Sequence, residues 1–91
     1  MTMVRTGGPG ASGISAIAIP GNAEGVRYGR KEDKMGWNSQ PTRQISFDGV
    51  RVPAHHLLGR EGEGFRIAMR GLDGGRINIA TCSVGAAQGA L

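Results

Sequence analysis

Fifteen consecutive residues, Ile77 to Leu91 (INIATCSVGAAQGAL), carry no charged side chain, and this run restricts the fold more than any other feature. Phe65, Ala68, Met69 and Leu72 lead into it at three- and four-residue steps, the period of an α-helix. A helix with no charged face is covered on most sides. Its small residues, Ala80, Gly85, Ala86, Ala87 and Ala90, suit the close approach of neighbouring helices. The rest of the chain is poorly equipped to cover it. Among 91 residues there are 17 glycines, and only two Phe, one Trp and one Tyr. Glycine brings no side chain to a core and loses the most entropy on folding. Aromatic residues, the largest core contributors, are scarce. The expected cover is therefore another chain, or polypeptide beyond this sequence; the run also ends without a C-cap signal.

The residues before the helix have the period of strands. Met1 to Thr6 suits the end of a strand, and Gly7 to Gly13 (GGPGASG) a hairpin loop. Ile14 to Ile19 (ISAIAI) is a short apolar run closed by Pro20-Gly21, as a buried strand would be. Gly25 to Arg30 is a further strand candidate, and Met35 to Pro41 a loop with the single tryptophan. From Thr42 to Val50 the pattern has period two: Arg43, Ile45 and Phe47 share one face of an expected half-buried strand. Asp48-Gly49 marks a turn, after which Val50 to Val52 could resume the strand before Pro53. Gly74-Gly75 suggests a break or kink in the helix, because each glycine costs about 1 kcal/mol relative to alanine. The organisation expected is α+β, with a β region over residues 1–60 and a helical region over 61–91.

Composition excludes several classes. The net charge is +4, from nine Arg and two Lys against seven acids, spread from Arg5 to Arg76 without a block. Such a spread, without basic strands studded with aromatics, argues against nucleic acid as partner. One cysteine excludes an internal disulfide framework. No run reaches the ~20 apolar residues that cross a bilayer, and Met1 to Gly8 has no apolar signal core. The expectation is a soluble intracellular protein, with no membrane association.

Few residues bear chemistry. Gly8, Gly10 and Gly13 have G-x-G-x-x-G spacing, but the dinucleotide fingerprint needs a helix next, and Ile14 to Pro20 is strand-like. His55-His56 are neighbours without Cys, Asp or Glu at ligand spacing, so no metal is expected. Cys82 lacks nearby positive charge and is expected to be a buried apolar residue. Asp73 and Arg76, three apart across Gly74 and Gly75, allow two readings. One is a surface ion pair of little consequence. The other is a ligand contact, with the glycines leaving room and Arg76 offering a planar fork to a phosphate or carbonyl oxygen.

Several of these stretches resemble one family in register. They are Met35 to Arg43 (MGWNSQPTR), Ile45 to Pro53 (ISFDGVRVP), Leu58-Gly59 with Glu61 to Phe65 (EGEGF), and Gly71 to Ala80 (GLDGGRINIA). Ile14 to Ile17 and Gly29 to Glu32 fit as well. The pattern is similar to acyl-CoA dehydrogenases, and the MGWNSQPTR stretch to their isobutyryl-CoA branch. The resemblance implies part of a middle β-barrel-like domain followed by the first helix of a C-terminal helical bundle. It implies FAD as cofactor, an acyl-CoA substrate, an electron-transferring flavoprotein as acceptor and a homotetrameric parent. It places such a parent in the bacterial cytoplasm or mitochondrial matrix.

The family reaction removes an α-proton and transfers the β-hydrogen as hydride to flavin, giving a trans-2-enoyl-CoA. Its base is a glutamate. One subgroup carries it just before the arginine of this helix, where this chain has Gly75. The other carries it later than Leu91. No catalytic residue is therefore assigned in this chain. By the same resemblance Asp73, Gly74, Gly75 and Arg76 lie against acyl-CoA, while Ser12 replaces a frequent lysine near the CoA. No flavin-contacting residue is assigned. The rival reading is a non-catalytic truncated paralogue or binding module that docks onto an intact subunit.

Overall fold

A computed structural model describes residues 1–91, all of the chain. The chain is α+β, with five short strands in two sheets and one long helix. Two units form around different strands.

The first unit comprises Met1–Ala18 and Leu57–Leu91. Its sheet contains β1 (Thr2–Arg5), β2 (Ile14–Ile17) and β5 (Leu57–Leu58), with β2 in the middle and both pairings antiparallel. The β1–β2 register runs from Thr2 opposite Ile17 to Arg5 opposite Ile14. The expected hairpin loop joins them. Thr6 and Gly7 both donate their backbone N–H to the Gly13 carbonyl. The Arg5 guanidinium reaches across to the Gly8 carbonyl at 2.7 Å. A 3-10 turn, Ala11–Gly13, closes the loop.

Helix α1 (Gly64–Gly89) packs its first turns on β2, on the 3-10 turn and on β1. The expected break at Gly74-Gly75 does not occur. Glycine weakens a helix through backbone entropy but keeps its N–H, so the hydrogen-bond ladder passes through both residues. The uncharged part also satisfies its polar side chains locally. Thr81 and Ser83 donate their hydroxyls to the carbonyls of Ile77 and Ile79, one turn back. Cys82 is exposed, contrary to the sequence expectation, because no neighbouring helix in this chain lies against it. The same holds for Ile77, Ile79 and Val84, which are between 55% and 68% exposed.

The second unit, Ile19–His56, is built on the antiparallel ribbon of β3 (Val26–Lys31) and β4 (Arg43–Phe47). Val26 lies opposite Phe47 and Tyr28 opposite Ile45, with an irregularity before Lys31 meets Arg43. The period-two pattern correctly marks β4 as a strand, but the strand is exposed throughout and not half-buried. A two-stranded ribbon has no third layer to cover Ile45 and Phe47. Val50 to Val52 does not resume the strand; a 3-10 turn at Ala54–His56 follows. In the connecting loop, Lys34 Nζ donates to the carbonyls of Trp37 (2.9 Å) and Gln40 (2.6 Å), and Trp37 adopts a positive φ of 55°.

Candidate functional site

The start of α1 is shaped by close packing more than by capping. Gly13, Ser15, Ala16 and Gly64 are the buried residues of the whole chain. A Cβ on Gly64 would overlap the Ser15 carbonyl carbon. One on Gly62, whose φ is +81°, would stand 2.5 Å from the Ser12 carbonyl oxygen. Only glycine allows the chain to lie this close to the foot of β2. The Glu-Gly-Glu-Gly-Phe stretch thus has a steric explanation that sequence reading did not supply.

Ser15 holds the contact. Its hydroxyl oxygen accepts the Gly62 N–H at 2.9 Å and shares a hydrogen bond with the Thr6 hydroxyl at 2.7 Å. Ser15 is fully buried, and no buried side-chain polar atom is left without a partner. Residue 63 contributes differently. Glu63 offers no side-chain cap to the helix, but its carboxylate accepts the Arg60 backbone N–H at 3.0 Å and pairs with the Arg60 and Arg66 guanidinium groups. The backbone donor at Arg60, then the charges of Arg66 and Arg60, hold the Glu63 carboxyl below its ordinary pKa.

Further along the helix lie the residues singled out by sequence. Arg76 Nη1 and Asp73 Oδ1 are 3.4 Å apart, and both side chains are more than two-thirds exposed. At such exposure the pair contributes little to stability. A Cβ on Gly74 or Gly75 would meet nothing within 4 Å. Neither glycine is therefore required by packing within this chain. Leu72, Gly75, Ile79 and Ala80 form an apolar strip along the helix, with Arg76 at its rim. Leu72, Gly75 and Ile79 follow steps of three and four, and Ala80 stands four beyond Arg76, so these residues share one face. The arrangement joins an exposed guanidinium fork to an apolar surface over backbone without side chains. That combination suits a ligand with both an apolar part and anionic or carbonyl oxygens.

Other candidates come together less. His55 and His56 rings touch edge to face, 4.8 Å between centroids, and no group of three His, Cys, Asp or Glu side chains converges. A polar cleft of the ribbon unit is lined by Glu24, Asp48, Gly49 and Arg51, and no ion pair links its charges. None of these side chains forms a cradle that fits a flavin. No helix is long and apolar enough to cross a membrane.

No protein-family profile matches the chain. The chain is 50% identical over 91 residues to the mitochondrial isobutyryl-CoA dehydrogenase of Bos taurus, covering 100% of the chain and 22% of that protein. It is 48% identical over 82 residues to the short-chain specific acyl-CoA dehydrogenase of Megasphaera elsdenii, covering 90% of the chain and 21% of that protein. The solved structure of butyryl-CoA dehydrogenase from Megasphaera elsdenii superposes with a TM-score of 0.73 at 49% identity, over 78% of the chain and 18% of that structure. The chain thus spans about a fifth of the length of the relatives that it matches.

Proposed function

This chain is homologous, along its whole length, to one segment of acyl-CoA dehydrogenases, and from that premise we propose that it serves the flavin-dependent oxidation of a short or branched-chain acyl-CoA to the trans-2-enoyl-CoA. The observation that carries this reading is the 50% identity, over all 91 residues of this chain and 22% of that protein, to an isobutyryl-CoA dehydrogenase. The exposed Arg76 beside an apolar strip is compatible with it. Asp73, Gly74, Gly75 and Arg76 form the acyl-CoA contact, with Arg76 toward a carbonyl or phosphate oxygen and the two glycines admitting the ligand to the backbone.

The division of labour follows from what this chain holds. It binds and orients acyl-CoA. The catalytic glutamate is supplied from outside these residues, and the working enzyme includes a middle β-barrel-like domain and a C-terminal helical bundle. That enzyme is a homotetramer in the bacterial cytoplasm or the mitochondrial matrix, and an electron-transferring flavoprotein accepts its electrons.

Arg76→Ala tests the contact. A charge-assisted hydrogen bond contributes about 1.5–3 kcal/mol, so the Kd for isobutyryl-CoA should rise by roughly 10- to 100-fold. Calorimetric titration of the purified protein reads the change. An unaltered Kd would remove Arg76 from the contact.

A second reading draws on the exposure of α1 from Ile77 onward. A non-catalytic chain of this kind would use the helix to dock onto an intact dehydrogenase subunit. Flavin absorbance separates the two: a protein purified with bound flavin is not an inert docking module.

A further inference from the structure

Past Arg70, every residue of α1 is exposed except Gly75, which is half-buried. Within this chain only the first turns of the helix are anchored, on β2, the 3-10 turn and β1. Asp73 lies nine residues beyond Gly64, about 14 Å along the axis at 1.5 Å per residue. Within this chain, the direction that α1 takes at Gly64 is therefore passed on to Asp73 and Arg76.

The anchor converges on one side chain. Ser15 is fully buried, and its hydroxyl is the acceptor of the Gly62 N–H across 47 residues of sequence. Gly62 and Gly64 on either side of Glu63 are pressed against the Ser12 and Ser15 backbone with no room for a Cβ. Glu63 supplies no side-chain cap that could define the helix start instead. The Thr6 hydroxyl occupies the other side of the Ser15 oxygen and so orients it.

We propose that Ser15 is a positioning residue: by holding the Gly62 N–H it fixes the entry of α1 and thereby aims the Asp73–Arg76 segment at acyl-CoA. The inference rests on the reading of that segment as the ligand contact. Removing the Ser15 hydroxyl leaves the half-buried Gly62 N–H without its protein partner, and such a group draws in water or moves. Gly62 lies two residues before a continuous helix, so a rotation there is carried along α1 to Arg76. Errors near 1 Å at a ligand-binding group lower function severely even when their source is distant.

The test compares Ser15→Ala and Ser15→Cys with Tyr28→Phe, in the protein as isolated from its source. Tyr28→Phe deletes one exposed side-chain-to-backbone hydrogen bond, donated to the Gly21 carbonyl, in the ribbon unit. Two quantities are read: amide hydrogen exchange at Gly62 and the Kd for isobutyryl-CoA. Both Ser15 variants should exchange at Gly62 about tenfold faster. They should also bind isobutyryl-CoA about tenfold more weakly, while Tyr28→Phe changes neither. Faster exchange with an unaltered Kd would overturn the positioning role and leave Ser15 purely structural. Unaltered exchange would overturn the lock itself. The cysteine variant leaves no cavity and substitutes a weak acceptor for the hydroxyl, so the comparison stands even where Ser15→Ala does not fold. Arg76→Ala, measured alongside, separates the two ideas. If that variant binds isobutyryl-CoA normally, the ligand reading fails, whereas Gly62 exchange still decides the lock.

Discussion

At residue 64 a single methyl group meets backbone in three places: the Ser15 carbonyl carbon, which it would overlap, and the Ala16 nitrogen and Ser15 Cα at 2.8 Å. None of these atoms can swing aside as a side-chain tip would. Gly64→Ala should therefore destabilise the first unit by about 1–3 kcal/mol, the usual cost of overpacking. Urea titration followed by helical circular dichroism checks this, and an unaltered midpoint would contradict the packing. The glycines of the Glu61 to Phe65 stretch were visible in the sequence as a pattern. Their reason was not visible, because the atoms that exclude a Cβ belong to Ser12, Ser15 and Ala16, about 50 positions earlier. Ser15 itself carried no signal, since a serine in an apolar run is ordinary until its partner is known. Cys82 went the other way. Its surroundings in sequence are apolar, but burial depends on what packs alongside, and nothing in this chain does.

Helix α1 separates local preference from ligand requirement. Gly75 has open space where a Cβ would be and lies inside a continuous helix. Gly75→Ala should raise helix stability by about 1 kcal/mol. If the backbone there approaches acyl-CoA, the same variant should bind isobutyryl-CoA more weakly. Stability and affinity moving in opposite directions is the expected result, measured by thermal unfolding and titration of one preparation. Gains in both would show that the glycine serves no close approach. The helix was legible from its period of 3.6, its start after Gly64 and its lack of charge. Its continuity through Gly74-Gly75 was not, because propensity sums over the whole element and two glycines do not outweigh 26 residues of ladder. β4 was legible from alternation, but its exposure was not, because alternation states which side chains share a face and not what covers that face.

Over the whole molecule, four buried residues are a small core for 91 residues, and two of the four are glycines. A chain that buries so little surface exposes little more on unfolding. Its urea m value should fall below the ~1 kcal/mol/M at the lower end for small proteins. An equilibrium urea titration of the 91-residue chain measures it; a steep transition would show more burial than these contacts provide. The sequence by itself determined the class, α+β, the positions of the helix and four of the strands, and the motif register shared with acyl-CoA dehydrogenases. These depend on local periodicity, turn residues and ordered motifs, which neighbouring residues carry. Tertiary structure alone decided that β5 joins β2, that Ser15 meets Gly62, that Gly62 and Gly64 admit no side chain, and which apolar faces stay uncovered. Each of these is a contact between residues far apart in the chain, and no local pattern encodes its distance.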